Sequence, residues 1–217
     1  EGHLAACQAL LEQGAPADGQ DAAKARRPLH LAAASGHADV CRALLACRAE
    51  PGARDADGLD ALHNAARSGS AELCDLLLSW GASVNAADDD GWCALHEAAR
   101  WGDADLVEAL LRRGADIQAV SSDGEGPLHV VPGGYAEADV VEALLEGRAD
   151  INARDYDGET PLHVAVKLGD DGLVGEFLAA GADANAATKS GATPLDLAKK
   201  DEIRWLLRSH KGRRGTG

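Results

Sequence analysis

Apolar and polar positions follow one another along the chain in short blocks with helical spacing. In Arg27-Pro28-Leu29-His30-Leu31-Ala32, continued by Ala33, the first leucine and the two alanines share one face of a helix. Gly36 breaks that pattern, and a second block, apolar at Val40, Cys41, Leu44 and Leu45, predicts a second short helix. The same pair of blocks then returns. Asp60-Ala61-Leu62-His63-Asn64-Ala65, Cys93-Ala94-Leu95-His96-Glu97-Ala98 and Gly126-Pro127-Leu128-His129-Val130-Val131 come first. Thr160-Pro161-Leu162-His163-Val164-Ala165 and Thr193-Pro194-Leu195-Asp196-Leu197-Ala198 follow. The fourth residue of each segment stands at 30, 63, 96, 129, 163 or 196, a period of 33 with one insertion. Neither helix of a copy can bury its face alone, so stacked copies are expected to share one continuous core.

The turn residues agree with this division. Thr, or a substitute, followed by Pro opens the first helix, where the missing proline N–H costs nothing. Gly36, Gly69, Gly102 and Gly169 are placed to end that helix in a left-handed turn. Gly81-Ala82-Ser83-Val84-Asn85 and Gly114-Ala115-Asp116-Ile117 close the second helix and lead into an Asp-rich turn that ends in Gly.

These segments resemble ankyrin repeats, whose pattern contains Thr-Pro-Leu-His-x-Ala. Residues 156–188 are the most complete match, from Asp157-Gly158-Glu159-Thr160-Pro161-Leu162-His163 to Gly181-Ala182-Asp183-Ala184-Asn185. The resemblance covers almost the whole chain. It implies an all-α ankyrin-repeat solenoid of helix-turn-helix units joined by β-hairpin-like loops. The expected layout is one domain over 1–211: a half repeat at 1–21, then repeats at about 22–55, 56–88, 89–121, 122–155, 156–188 and 189–211. Residues 212–217 read as a disordered basic tail. Opening on a second helix without its first is what a fragment, or a chain covered at that end, would show. Pro132-Gly133-Gly134 interrupts the first helix of the fourth copy near Tyr135, and Arg48 and Arg148 stand where other copies end a helix with Gly.

Composition supports the helical reading. The chain is rich in alanine, has one Phe and no Met, and is 3% aromatic, which suits closely approaching helices better than a sandwich or barrel. No apolar run nears the roughly 18 residues that span a bilayer. The net charge of −15 is concentrated: residues 51–198 carry 28 acidic against nine basic side chains. Such a body repels phosphate backbones, so nucleic acid is not the expected partner. Five cysteines are too few and too oddly numbered for a disulfide framework, and free thiols favour an intracellular reducing compartment, most simply the cytoplasm.

Candidate chemistry thins out on inspection. Five histidines at equal spacing would stack about 10 Å apart, too far for shared metal coordination. In the ankyrin family this histidine ties hairpin to helix through backbone hydrogen bonds. Cys7, Cys41 and Cys74 share a slot that later copies fill with Val107, Val141 and Val174, so they read as small buried hydrophobes. Asp88-Asp89-Asp90-Gly91 and Asp155-Tyr156-Asp157-Gly158 lack the ligand series of a calcium loop and fall on hairpin turns. No nucleophile, base and orienting group recur together, and no cofactor is implied.

What remains is surface. The resemblance implies a concave side made by the hairpin tips and the exposed ends of the first helices. Variable positions there are Asp57, Leu59, Arg67, Asp89, Asp90, Trp92, Arg100, Trp101, Tyr156, Asp157, Glu159 and Lys167. Trp92 and Trp101 are expected at positions the repeat does not need for packing, with Arg100 beside them, and Trp and Arg dominate binding energetics; the alternative is that each indole lies flat on a neighbouring copy and covers apolar surface. The acidic tips are expected to steer a protein partner with a basic or mixed surface. Trp80 and Trp205 are expected to be structural. The function expected is a non-catalytic protein-binding scaffold or adaptor. The alternatives are a permanent subunit of a large assembly, docked on a membrane complex or elsewhere, and a recognition segment of a longer multidomain protein.

Overall fold

The computed structural model describes residues 2–131 and 138–211, so Pro132-Gly133-Gly134, Tyr135 and the tail at 212–217 lie outside the described residues. The helices form two layers. The inner layer is α2 (Pro28–Ala34), α4 (Ala61–Arg67), α6 (Ala94–Trp101), α8 (Pro127–Val130), α10 (Pro161–Leu168) and α12 (Pro194–Leu197). The outer layer is α1 (Gly2–Glu12), α3 (Ala38–Ala46), α5 (Ala71–Ser79), α7 (Ala104–Arg112), α9 (Ala138–Glu146), α11 (Asp171–Ala179) and α13 (Asp201–Lys211). Helices this short are marginal alone, so packing against the next copy holds them. Each inner helix contacts the next inner helix, and each outer helix the next outer one.

One slot recurs as the floor of the core. Leu29, Leu62, Leu95, Leu128 and Leu162 are all at most 2% exposed, and Ala33, Ala66 and Ala99 beside them are fully buried, which lets inner helices approach closely. Leu44, Leu77, Leu110 and Leu144 fill the matching place in the outer layer, and the single Phe, Phe177, takes it in the fifth copy.

The histidines do what the family pattern implies. Outside the second copy, the backbone N–H of the residue before the helix donates to the ring Nδ1, from Arg27 to His30 at 2.9 Å and from Thr160 to His163 at 3.0 Å. The ring Nε2 reaches the next hairpin: His30 to Ala53 O at 2.9 Å, His63 to Trp92 O at 3.0 Å, His96 to Glu125 O at 3.1 Å. In the last copy Asp196 replaces the ring and accepts from both Thr193 N and Thr193 Oγ1.

Hairpin tips are stitched to one another by backbone. Ser122 N donates to Asp90 O at 2.7 Å, Tyr156 N to Asp123 O at 2.9 Å and Lys189 N to Asp157 O at 2.8 Å. Gly91, at φ +79°, needs its missing side chain twice over, because a Cβ there would meet Ser122 N at 2.9 Å. Among the described residues these loops contain one isolated bridge, Ala87 to Cys93, and no strand.

One departure from the repeat is absorbed and one expectation changes. Arg48 and Arg148 adopt the left-handed backbone of the glycines they replace, at φ 67° and 68°. Ala49 N→Leu44 O, at 3.0 Å, reproduces the closing bond of Ala82 N→Leu77 O, so the cap survives at a steric cost of about 1 kcal/mol. Trp80 and Trp205, expected to be structural, are 46% and 67% exposed: Trp80 is the C-cap residue just past the end of α5, and Trp205 sits on the solvent side of α13. No helix among the described residues is long and apolar enough to cross a membrane.

Candidate partner-binding face

The third copy concentrates chemistry at the C-terminal end of α6. The residue after its histidine is Glu97, where other copies carry Leu31, Asn64, Val130, Val164 or Leu197. Glu97 is 4% exposed. Its Oε2 accepts the Trp101 indole N–H at 3.2 Å, one helical turn on, and its Oε1 lies 3.5 Å from Arg67 Nε of the preceding copy. Burial pushes the Glu97 carboxyl above its ordinary value, while Arg67 and the Trp101 hydrogen bond pull it back in part. The carboxylate therefore orients an indole that is itself 43% exposed at the surface.

Trp92 departs from expectation. It is half-buried against the core, with its ring centroid 5.6 Å from that of His96, so the repeat does use it for packing. Its position at the base of the hairpin turns the ring inward, and the Arg100 guanidinium covers it at 5.3 Å, within cation–π range. Arg67, Arg100 and Lys167 occupy the same place in α4, α6 and α10 and are all exposed.

The acidic tips are also less bare than their sequence suggests. Asp57 is paired with Lys24 at 2.7 Å and Asp89 with Arg54 at 2.9 Å, each cation coming from beside the preceding hairpin. Glu159 is engaged by Lys167, whose Nζ reaches both carboxylate oxygens at 3.0 and 2.8 Å. Asp90 and Asp157 are exposed at the tips, and Leu59 is half-buried at the base of its hairpin. Tyr156 is 60% exposed and lies over Gly124, where a Cβ would meet its ring at 2.6 Å. The structure thus gathers Arg67, Trp92, Arg100 and Trp101 around one copy and leaves Tyr156, Asp157, Glu159 and Lys167 as a second group on the fifth.

Two buried features escape a reading of the sequence by repeat pattern. One is Glu97; its signal is an acidic residue in a slot that is otherwise apolar or amide. The other is Asp60, which replaces the helix-opening Thr and lies 2.7 Å from His63 Nδ1, with both side chains almost wholly buried. Burial pulls the His63 ring down, but the Asp60 hydrogen bond and charge outweigh it and hold the ring above its ordinary value. His96 and His163, facing Cys93 and Thr160 instead, are held below theirs, chiefly by burial. Cys41 and Cys74 are buried thiols pushed up to about 12 by desolvation, so they are inert at neutral pH.

Family models for ankyrin repeats match over residues 1–55 and 29–121 (three copies), 123–156 (a single repeat) and 144–198 (many copies). This chain belongs to the ankyrin-repeat family. No curated protein matches it. Ankyrin repeats are general protein-protein interaction modules, which directs attention to surfaces of this ankyrin stack rather than to a cleft.

Proposed function

We propose that this ankyrin-repeat protein is a non-catalytic scaffold that holds a protein segment against its inner helices and hairpin tips, centred on Trp101. The observation that carries this reading is the Glu97–Trp101 pair. An exposed indole held by a buried carboxylate loses little side-chain freedom on binding, and ordering such side chains is a main cost of association. Arg67 and Arg100 flank it with donors, and the equivalent place in the fifth copy holds Leu168, 57% exposed. The partner this surface suits has mixed character: apolar side chains for Trp101 and Leu168, carboxylates for the two arginines, and cations for Asp90 and Asp157.

The test is affinity capture from native extract with the intact chain and with Trp101→Ala, Arg100→Ala and the double variant, followed by calorimetry on the recovered partner. Loss of the same protein with each variant supports the reading; capture unaffected by all three overturns it. The second reading, a permanent subunit of a standing assembly, is favoured by exposed apolar side chains away from this face, Trp80 and Leu10 among them. A fixed, salt-resistant set of co-purifying subunits would select it.

A further inference from the structure

The outer layer follows a rule that its last helix breaks. Midway between two core residues four apart, α3, α5, α7 and α9 present Arg42, Asp75, Glu108 and Glu142 to solvent. In α11 that place, between Leu173 and Phe177, is Gly175, and a Cβ built on it meets nothing within 4 Å. In α13 the same place, between Ile203 and Leu207, is Trp205, the most exposed large hydrophobic side chain described, at 67%. Charged residues at this slot solvate the face; glycine and tryptophan do the opposite, at a cost in helix propensity for the glycine. Long side chains on a helix lean toward its N-terminus, which carries Trp205 back over Asp201 and Glu202 one turn earlier.

The grooves nearby are lined by acidic side chains, while the exposed Arg204 and Arg208 stand beside Trp205 on α13, Arg204 donating to Ala198 O. A shallow groove of about 480 Å³ beside Trp205 is lined by Asp171, Asp201, Glu202, Trp205 and Leu206. On the other side of α11 a second groove, about 460 Å³, has Val141, Leu145, Ala179 and Ala180 as its floor and Glu142, Glu146 and Glu176 as its rim. Lys200 answers part of this charge, standing 3.5 Å from Asp171 while donating to Gly169 O. Apolar floors rimmed by carboxylates complement an amphipathic segment whose polar positions are Lys or Arg.

We propose that the outer face of α9, α11 and α13 is a second docking surface, distinct from the inner face, for a basic amphipathic helix of a partner protein. Trp205 is its anchor: an apolar side chain or an Arg guanidinium lies on the indole while the partner's cations meet Asp201, Glu202 and Glu176. Bare Gly175 gives the partner's backbone room to cross α11.

The probe is a synthetic 18-residue Leu/Lys amphipathic peptide added to the intact chain at physiological salt, followed through the indole N–H signals of its four tryptophans by NMR. A saturable shift of the Trp205 signal is expected, at least fivefold weaker in Asp201→Asn/Glu202→Gln and unchanged in Trp101→Ala, while calorimetry of the same peptide should show at least tenfold weaker binding to Trp205→Ala. The same peptide with Glu for Lys should leave the Trp205 signal in place. A shift confined to Trp101, or one that survives neutralising the carboxylates, overturns the proposal. So does a Trp205 signal that moves with protein concentration alone, which would mean self-association. Because Trp205 and Trp101 report separately, failure here leaves the inner-face reading standing, and failure there leaves this one.

Discussion

The third and fifth copies put different chemistry on the same backbone. Both inner helices are eight residues long, both end at a left-handed glycine (Gly102, φ 75°; Gly169, φ 74°), and both carry a buried histidine bound to the next hairpin. Beyond that the third copy places Glu97, Arg100 and Trp101 where the fifth places Val164, Lys167 and Leu168. In the fifth copy the cation is satisfied within its own copy by Glu159, at an exposed site where such pairs contribute little. In the third copy a buried carboxylate ties together residues of two copies. The stack tolerates either solution because the histidine, leucine and glycine positions carry the fold. The slots between them are left for surface.

Exchanging residues between the two copies tests that view. The largest effect is expected from Val164→Glu, which sets a carboxylate at a half-buried site in the fifth copy without an indole one turn on; unfolding in urea should show a loss of about 2 kcal/mol. Next, Trp101→Ala should weaken partner binding at least tenfold, about 1.4 kcal/mol or more, with far-UV circular dichroism unchanged. Lys167→Ala at the fifth copy should cost threefold or less in the same titration.

Glu97→Val, the reciprocal exchange, should raise stability at pH 7 by about 1 kcal/mol, because replacing a buried charge by a well-packed apolar group is often favourable. The sign with pH follows from the raised carboxyl. Folded Glu97 takes up its proton before unfolded Glu97 does, so the wild type gains on the variant as pH falls through the folded value. That gain is complete below the ordinary 4.5. The variant's advantage should therefore be greatest at neutral pH and shrink on acidification; a gap independent of pH would remove Glu97 as its source. Partner binding should weaken at the same time, since Trp101 loses its acceptor.

The smallest effect concerns the histidines. Asp60→Thr makes the opening of the second copy like that of the fifth. In the wild type the Asp60–His63 pairing contributes stability that is fully present below the ordinary 6.5 of histidine and is lost as pH rises through the raised folded value. For His163, whose ring is held low, stability is present above 6.5 and is lost as pH falls through the depressed value. The substitution should move the His63 imidazole titration, followed by NMR, from above to below its ordinary position, changing stability by under about 1 kcal/mol.

Much of the architecture was legible from residue spacing. A period of 33 with Leu, His and Gly in register specifies helix, cap and turn locally, and local rules suffice where each copy contacts only its neighbours. The surface was less legible. Trp92 and Trp205 occupy positions of opposite expectation, yet one packs inward and the other faces water. Nothing in the repeat pattern states which side of a hairpin base a large ring will take. Asp57 and Asp89 read as bare acidic tips until Lys24 and Arg54 arrive from beside the preceding hairpin, 33 and 35 residues away in sequence.

The sequence by itself determined the helical grammar, the histidine ties and the left-handed turns, because these depend on residues a few positions apart and on steric limits that every chain obeys. It also determined the family, through six spaced copies of one pattern. Only the tertiary structure decided which charges are spent on the next copy and which side chains stay at the surface. Burial of Glu97, the pairing of Asp60 with His63 and the exposure of Trp205 arise where copies meet or the stack presents its outer face. There the distance through space is short and the distance along the chain is a whole repeat.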